Sequence, residues 1–287
     1  MKTEELVGFL SGYGHVFYPF KKRWFYNDYR QKRFFSVFPP ESLLIASVEE
    51  FDAFFKDHPA LWGVRYLSPP TERGSLTYRW VRRKPYDWND LSSKVRNRTR
   101  FGLKNCLIRR MDLDELSLKA EPAFRDTMVR HGQKKPTTLG LSSAIENGSA
   151  YEIWGAFFQD KLVSYMVVLK TESWAHIIIQ RSMTDHLKYY PNNALTFTLV
   201  KDLLSRQDIE FVNYGADFFN QKSSLDNFKE SMGFEKDPIR YCIALSGTLR
   251  KFFPPSVCRI IELVLALFPG RASARFRRFF FVLRNSS

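Results

Sequence analysis

Residues 209–245 restrict the fold of this chain more than any other segment. Their sequence, IEFVNYGADFFNQKSSLDNFKESMGFEKDPIRYCIAL, predicts a buried strand, a polar loop, a short helix ending at Met232-Gly233-Phe234, and a second apolar strand. This order brings Asp217 to the end of the first strand and returns Lys229, on the helix, toward the same place. Because α/β proteins assemble functional sites in this way, both residues are candidate site residues.

Three strands and a crossover helix are predicted just before this segment. The strands are rich in β-branched and aromatic residues and are separated by short polar breaks, which indicates an antiparallel meander. The helix follows Pro191, with Asn192 or Asn193 as its expected cap. The predicted bounds are 151–158, 162–169 and 174–183 for the strands, 194–205 for the helix and 209–213 for the strand after it.

The first 90 residues predict a smaller α/β unit. Ser47 and Glu50 have the spacing of a capping box, in which two side chains satisfy free backbone amides at the start of a helix. Proline pairs at 39–40 and 69–70 interrupt regular structure. The expected elements are a helix at 48–56 and strands at 62–67 and 76–82.

A basic helix is predicted at 91–105, with Ser92 or Ser93 as its cap. Arg96, Arg100 and Lys104 recur every four residues and form one stripe along it. A solvated charged face is the commoner meaning of such a stripe. The segment 72–110 nevertheless contains twelve Lys and Arg against three Asp and Glu, which favours a role in binding an anion. A further helix at 113–131 and a loop at 132–140 are expected after it.

The order of these elements resembles the GNAT acyltransferase fold, and more closely its Fem-like (FemAB/CelD-like) branch. The resemblance covers residues 91–245 and rests on Asp217 after the strand, Phe228-Lys229 and Gly233 on the following helix, and the basic helix before the meander. It implies an α+β fold in which a mixed sheet is flanked by helices, with a second, smaller or degenerate GNAT-like unit near the N-terminus. The expected domains are 1–90, 91–247 and a basic amphipathic helical tail at 248–287.

The resemblance also implies where an acyl donor binds. In the GNAT fold two neighbouring parallel strands separate, and the donor pyrophosphate lies at the N-terminus of the next helix, where free amides and the helix dipole favour an anion. The equivalent turn here is 184–193, and it contains the candidate donor-binding residues His186, Tyr190, Asn192 and Asn193. It departs from the glycine-rich loop of the family, since no glycine lies between Gly155 and Gly215.

The candidate catalytic residues are Asp217 and Lys229. Asp217 is placed to orient or deprotonate an acceptor amine, although Asp after Gly-Ala is equally typical of a turn. Lys229 is placed to stabilise developing negative charge, whereas an isolated helical lysine is usually exposed. The candidate substrate-binding residues are Tyr214, Phe228 and two arginines expected to bind a phosphate-bearing substrate, Arg96 and Arg100.

The expected function is transfer of an acyl or aminoacyl group from a thioester or ester donor to an amine of a cell-envelope or polysaccharide-type substrate. The donor is expected to be acyl-CoA or aminoacyl-tRNA, and no metal is expected, because the histidines lack metal-ligand spacing. The alternatives are a non-catalytic RNA-binding or tRNA-binding module and a membrane-tethered scaffold. Donor identity, acceptor identity and oligomeric state stay open.

Charge and cysteine content indicate the surroundings of the protein. A net charge of +14 favours polyanionic partners. Three widely spaced cysteines predict neither a disulfide framework nor a zinc site, and the sequence shows no secretory leader and no span of about 20 apolar residues. A cytoplasmic location is expected, with contact to the inner face of the membrane as a candidate.

The tail at 248–287 is where that contact is expected. It contains eight Arg and Lys against one Glu, interleaved with Phe and Leu, and a helix is predicted at 256–268. Basic and bulky apolar residues together suit a segment that lies on an anionic bilayer. The alternative is a helical pair packed on the apolar face of its own domain.

Overall fold

A computed structural model of the 287-residue chain describes residues 2–12, 15–27, 33–40, 42–132, 150–217, 224–268 and 270–286, with the backbone alone described at Gly12, Asp217, Arg271, Ala272 and Arg275. The helices are α1 (Thr3–Gly12), α2 (Val48–Asp57), α3 (Ser93–Asn105), α4 (Leu113–Lys119), α5 (Glu121–Arg130), α6 (Pro191–Ser205), α7 (Ser224–Ser231), α8 (Gly247–Phe252), α9 (Pro255–Ala266) and α10 (Arg271–Ser286). The strands are β1 (Phe17–Phe20), β2 (Arg23–Tyr26), β3 (Phe34–Phe38), β4 (Gly63–Ser68), β5 (Ser75–Arg83), β6 (Leu107–Met111), β7 (Tyr151–Phe158), β8 (Lys161–Thr171), β9 (Trp174–Ser182), β10 (Phe211–Asp217) and β11 (Glu235–Leu245).

The chain divides into two compact units, each built from separated segments. Unit 1 comprises Met1–Tyr13, Trp80–Gly215 and Lys222–Glu235, and unit 2 comprises Gly14–Arg79, Ala216–Gln221 and Lys236–Ser287. The domain limits expected from the sequence, at 90 and 247, stay a prediction.

Unit 1 contains the predicted meander and a further strand that runs parallel to the last strand of the meander. Its strand order is β10-β9-β8-β7-β6, in which β6 to β9 are antiparallel neighbours and β10 runs parallel to β9. The crossover helix α6 joins β9 to β10 and is buried along most of its length. The helix α3 packs against α6 at Gly102, where an added Cβ would lie 2.5 Å from the carbonyl oxygen of Tyr190. The expected mixed sheet with flanking helices is thus confirmed.

Unit 2 repeats the same order of elements. The strands β1, β2 and β3 form an antiparallel meander, α2 crosses over, and β4 returns parallel to β3, with β11 antiparallel on its other side. Aromatic side chains from the meander and from α2, including Phe25 and Phe51, form its core. This second, GNAT-like unit was expected from the resemblance, although no repeat is detectable in the sequence.

Two predicted helix boundaries are wrong. The helix expected at 113–131 is two helices, α4 and α5, which meet at Ala120. Pro122 lies in the first turn of α5, where a backbone N–H has no partner within the helix and its absence has no cost. In the middle of a longer helix the same proline would remove a backbone hydrogen bond. The helix α6 begins at Pro191 after Tyr190, so neither Asn192 nor Asn193 is its cap.

Other local predictions are confirmed. Ser47 and Glu50 form the expected capping box of α2, and Ser92 accepts a hydrogen bond from the Val95 amide at the start of α3. The three cysteines are buried and unpaired. Residues 133–149, which include most of the predicted loop at 132–140, lie outside the described residues.

The tail forms α8, α9 and α10 in unit 2. Cys258 of α9 and Val282 and Leu283 of α10 pack with Ile243 and Leu245 of β11. One face of the helix pair therefore lies on the apolar core of unit 2, as the packing alternative expected. Among the helices that the structure describes, none combines the length and the apolar character needed to cross a bilayer.

Candidate functional site

The parallel strands of unit 1 pair at their beginnings and then separate. Phe211 pairs with Trp174, Val212 with Ala175 and Asn213 with His176, and within the described residues the ladder ends there. His176 and Asn213 are buried and joined by a side-chain hydrogen bond of 3.2 Å, which closes the narrow end of the opening. Beyond them β9 continues to Ser182 and β10 to Asp217 without pairing to each other.

A β-bulge accompanies the separation. On the other side of β9, Val167 of β8 pairs with Ile179 and Val168 with Ile177, so Ile178 is an extra residue in β9. A bulge bends its strand and increases the local twist, which turns the end of β9 away from its neighbour. Ile178 lies on the wall of the resulting opening.

The opening forms a cavity of about 540 Å³. Its walls come from β9, β10, α5, α7 and the start of α6. Arginine, lysine and histidine line it, and no carboxylate occurs among its described lining residues. The lining residues are Thr127, Arg130, His131, Ile177, Ile178, Gln180, Arg181, Ser182, Leu187, Asn192, Tyr214, Ser224, Leu225, Phe228 and Lys229. A cavity with this lining favours an anionic ligand.

Lys229 is the buried cation of the cavity wall. It lies on α7 with 6% of its surface exposed, and its Nζ is 5.3 Å from the centroid of the Tyr214 ring. Gly233, at φ +81°, ends the helix in the left-handed conformation, and the Phe234 amide donates to the Lys229 carbonyl. The FK and Gly residues of the sequence motif therefore fix the position of this helix end.

Tyr214 links β10 to β9 across the opening. Its phenol donates a hydrogen bond to the side-chain oxygen of Gln180, and its ring makes an edge contact with Phe228 at 6.5 Å between centroids. Complete burial raises the pKa of Tyr214 far above its usual range. The phenol therefore keeps its proton at physiological pH, and it is a hydrogen-bond donor in the cavity.

Arg181 supplies a second positive charge. Its guanidinium donates to the Gln180 carbonyl at 2.8 Å, whereas its Nε is buried without a hydrogen-bond partner within the described residues. Burial lowers the pKa of Arg181 from its usual value, and its cross-strand neighbour Tyr165 opposes that shift. A partly buried cation with a free donor is suited to bind an anionic group of a ligand.

The end of β9 is anchored by side chains from two helices. Thr127 and Arg130 of α5 donate to the Ser182 carbonyl at 3.1 and 3.4 Å, and Asn192 of α6 donates to the Ser182 hydroxyl at 3.3 Å. Ser164 on β8 in turn donates to the Asn192 side-chain oxygen at 2.7 Å. These bonds hold the rim of the cavity in one position.

The structure brings together four of the residues expected from the sequence. Asn192, Tyr214, Phe228 and Lys229 line the cavity. Asp217 is the last residue of β10, and its side chain lies outside the described residues. The assignment of Asp217 as a base therefore stays a prediction.

The other predicted donor residues lie off the cavity wall. The ring of His186 contacts Phe158 at 5.6 Å between centroids, and its pKa is lowered by burial and by Lys161. Tyr190 is covered by the Arg98 guanidinium at 5.3 Å from its ring. Asn193 is buried and donates to the Met232 sulfur at 3.4 Å.

The two predicted phosphate-binding arginines are also outside the cavity lining. Arg96 donates to the Leu91 carbonyl at 2.8 Å and closes the turn before α3. Arg100 is exposed, with its guanidinium 5.3 Å from the centroid of the Trp88 ring. Their roles in substrate binding stay predictions.

Sequence reasoning missed Gln180, Arg181, Arg130 and His131. A signal for the first two exists, because polar residues follow an apolar run at the end of β9, where ligands bind in open α/β sheets. Arg130 and His131 come from the end of a helix with no such pattern. Only the packing of α5 against β9 brings them to the cavity.

Unit 2 has no equivalent opening among its described residues. The parallel strands β3 and β4 also pair at their beginnings, where Phe34 pairs with Gly63. After β3, however, the chain returns to β4, and the Leu44 amide donates to the Leu67 carbonyl at 2.7 Å. A smaller cavity of about 280 Å³ lies beside this returning segment, and Glu72, Arg73 and Arg250 line it together with apolar residues. In neither unit do the described residues group three or more potential metal ligands.

No protein-family model and no curated protein matches the chain. Solved structures do match. The C-terminal domain of a putative lysylphosphatidylglycerol synthetase from Agrobacterium fabrum is 11% identical, with a TM-score of 0.60 over 85% of this chain and 88% of that one. FemX is 10% identical, with a TM-score of 0.56 over 88% and 92%. L-PGS from Bacillus licheniformis is 14% identical, with a TM-score of 0.56 over 85% and 91%.

These likenesses agree with what the sheets show independently. A meander, a crossover helix and a parallel strand that separates from its neighbour occur in unit 1, and the same order occurs without the opening in unit 2. The fold of this chain is similar to those of FemX, of L-PGS and of the lysylphosphatidylglycerol synthetase domain.

Proposed function

We propose that this protein transfers an acyl or aminoacyl group from a thioester or ester donor to an amine of a cell-envelope or polysaccharide-type acceptor. The observation that carries the proposal is the cavity between β9 and β10, where buried Lys229 and Tyr214 face an opening with no described carboxylate. One of the similar structures is named a lysylphosphatidylglycerol synthetase, and that name supports an aminoacyl group as one of the donor classes.

Acyl transfer requires a group that stabilises negative charge on the carbonyl oxygen and, for some leaving groups, a group that donates a proton. The acceptor nitrogen attacks the donor carbonyl, a C–N bond forms, and the C–S or C–O bond to the leaving group breaks. The carbonyl oxygen becomes negative on the way, and the buried Lys229 ammonium on the cavity wall is placed to stabilise it. A leaving alkoxide needs a proton, for which the Tyr214 phenol on the cavity wall is the candidate donor, whereas a leaving thiolate is stable at neutral pH without one. The nitrogen gives its proton to a base, for which Asp217 is the candidate.

The charge of the cavity supports a phosphate-bearing ligand. Acyl-CoA and aminoacyl-tRNA both contain phosphate groups in the part of the donor that carries the acyl group. Arg181 is the lining cation with a free donor, whereas Arg130 is already bonded to Asp126, Thr184 and Ser182. Arg181 is therefore the residue that we assign to the anionic group of the donor or acceptor.

A donor panel tests the proposal. Purified full-length protein is incubated with acetyl-CoA, a longer acyl-CoA or aminoacyl-tRNA, together with amine acceptors of the amino-sugar, peptidoglycan-precursor and aminophospholipid classes. Formation of an amide by mass spectrometry, with loss of product in Lys229→Met, supports transfer. Absence of product with every donor, or full activity of Lys229→Met, contradicts it.

A non-catalytic RNA-binding module is the second candidate. It is favoured by the net charge of +14 and by exposed basic residues such as Arg100 and Lys104 on α3. Such a protein would bind RNA with a steep salt dependence that Arg100→Gln weakens and Lys229→Met leaves unchanged. Transfer activity from any donor would decide against it.

A further inference from the structure

The helix α9 has two apolar faces, and only one of them is buried. Cys258 faces inward and is fully buried in the cluster that joins α9 and α10 to β11. On the opposite side the residues repeat at the spacing i, i+3, i+4 and i+7 of a single helical stripe. This stripe, which we name the outer face, consists of Ile260, Leu263, Val264 and Leu267.

The outer face is exposed to a degree that packing on unit 2 does not explain. Leu263 is 63% and Leu267 78% exposed, and Ile260 and Val264 are exposed as well. A helix that packs on one side of a protein needs one apolar stripe, and the stripe that contains Cys258 already provides it. A second contiguous apolar stripe marks a surface that contacts something apolar.

Basic side chains accompany the apolar surface. Lys251, Arg259 and Arg277 of α8, α9 and α10 are exposed, and none of them makes an ion pair with a described carboxylate. The more sheltered basic residues of the same helices are paired: Arg250 with Asp52 at 2.8 Å and Arg284 with Glu262 at 3.2 Å. Lys251, Arg259 and Arg277 are each adjacent in sequence to an exposed apolar residue, which is Phe252, Ile260 and Phe276 respectively.

We propose that the outer face, together with the exposed basic residues Lys251, Arg259 and Arg277, docks the protein on an anionic lipid bilayer. A bilayer interface offers an apolar phase for the leucines and acidic headgroups for the basic residues. A second copy of the chain would bring the same unpaired positive charges together, which disfavours it as the occupant. The twelve residues of α9 span about 18 Å, against about 30 Å of bilayer hydrocarbon, so the helix lies along the surface.

Vesicle flotation of the full-length protein tests the proposal. Vesicles of phosphatidylcholine are compared with vesicles that also contain phosphatidylglycerol. The protein is expected to float with the anionic vesicles and to bind neutral ones at least about tenfold more weakly, and high salt is expected to release it. The double variant Leu263→Gln/Leu267→Gln should lower the partition into anionic vesicles by about tenfold or more. Neutralising Lys251, Arg259 and Arg277 to Gln should have a comparable effect on anionic vesicles only.

A matched control separates docking from general surface polarity. Leu107→Gln/Leu118→Gln changes leucines that are 61% and 80% exposed in unit 1, and it should leave flotation unchanged. All variants are expected to keep the wild-type melting temperature, since the changed side chains are exposed.

Three results would overturn the proposal: no flotation with either vesicle, equal loss in the control variant, or a concentration-dependent dimer that the Leu263/Leu267 variant abolishes in the absence of vesicle binding. The docking proposal does not depend on the proposed transfer reaction, because flotation needs no substrate. A protein that floats but shows no transferase activity would contradict only the latter.

Discussion

The Nζ of Lys229 lies 5.3 Å from the centroid of the Tyr214 ring, with both side chains buried on the wall of one cavity. An ammonium over an aromatic face is held in place and partly desolvated. The pair therefore offers a fixed positive charge beside a phenol that keeps its proton. This relationship carries the first prediction.

Lys229→Met should lower kcat by about 100-fold, because the variant keeps the length of the side chain and removes the charge that stabilises the oxyanion. Steady-state kinetics on the donor found in the panel checks it. Lys236→Met is the matched control, since Lys236 makes the same type of contact with Tyr78, at 4.4 Å, away from the cavity lining. Equal effects of the two substitutions would remove Lys229 from the mechanism.

Arg181→Gln should raise KM for the phosphate-bearing substrate by about tenfold with little change in kcat, since the guanidinium binds a group remote from the reacting carbonyl. Arg100→Gln is the control, because the sequence assigned phosphate binding to Arg100 and the structure places it outside the cavity lining. A raised KM in the Arg100 variant alone would restore the assignment made from the sequence.

The lowered pKa of Glu152 predicts that the free energy of unfolding decreases at low pH. Burial alone would raise its pKa, but hydrogen bonds from Arg206 at 2.6 and 2.8 Å and from Lys170 at 2.8 Å lower it to about 2. Because the folded pKa lies below the unfolded value of 4.5, the stabilisation is complete above pH 4.5 and is lost as pH falls toward 2. The loss should be about 2–3 kcal/mol of the free energy of unfolding.

Denaturant unfolding of the full chain at several pH values measures this loss. The difference in free energy of unfolding between wild type and Glu152→Gln should shrink steadily between pH 4.5 and 2. Glu4→Gln is the control, because it changes an exposed carboxylate in α1. The difference in free energy of unfolding between this variant and wild type should stay constant over the same pH range. A constant difference for Glu152→Gln would contradict the assigned pKa.

Gly102→Ala should destabilise the protein by about 1–3 kcal/mol, because the new Cβ would lie 2.5 Å from the Tyr190 carbonyl oxygen and 2.9 Å from the Ala194 Cβ. The helices α3 and α6 would have to move apart, and the start of α6 lines the cavity. Gly8→Ala in α1 is the control, since its Cβ meets no atom within 4 Å, and it should stabilise by up to about 1 kcal/mol. Equal melting temperatures for the two variants would rule out the close helix contact.

Local sequence patterns predicted most of the elements in unit 1. Runs of β-branched and aromatic residues between short polar breaks marked β7, β8 and β9, and the capping box at Ser47 marked the start of α2 in unit 2. These signals depend on residues close in sequence. Errors arose where local signals compete. Pro122 and Pro191 each lie in the first turn of a helix whose start was predicted elsewhere.

The sequence motif around Lys229 predicted two residues of the cavity wall, Phe228 and Lys229. Phe228, Lys229 and Gly233 are close in sequence, so their pattern can be recognised without the structure. Tyr214 was a candidate because it comes directly after the predicted strand at 209–213. Arg130 and Arg181 are 51 positions apart and belong to elements whose contact no local pattern records. The sequence instead indicated Arg96 and Arg100 as phosphate-binding residues, and these two lie outside the cavity lining.

By itself the sequence determined the order of strands and helices from 151 to 245, the strong positive charge and the lysine on the helix after β10. Each of these features depends on short-range pattern or on composition. Tertiary structure alone decided that β9 and β10 separate beyond Asn213, that the same fold of strands recurs in unit 2 with its opening closed by Leu44, and that one apolar stripe of α9 stays exposed. Each of these depends on how distant segments pack, since pairing and burial are properties of neighbours in space.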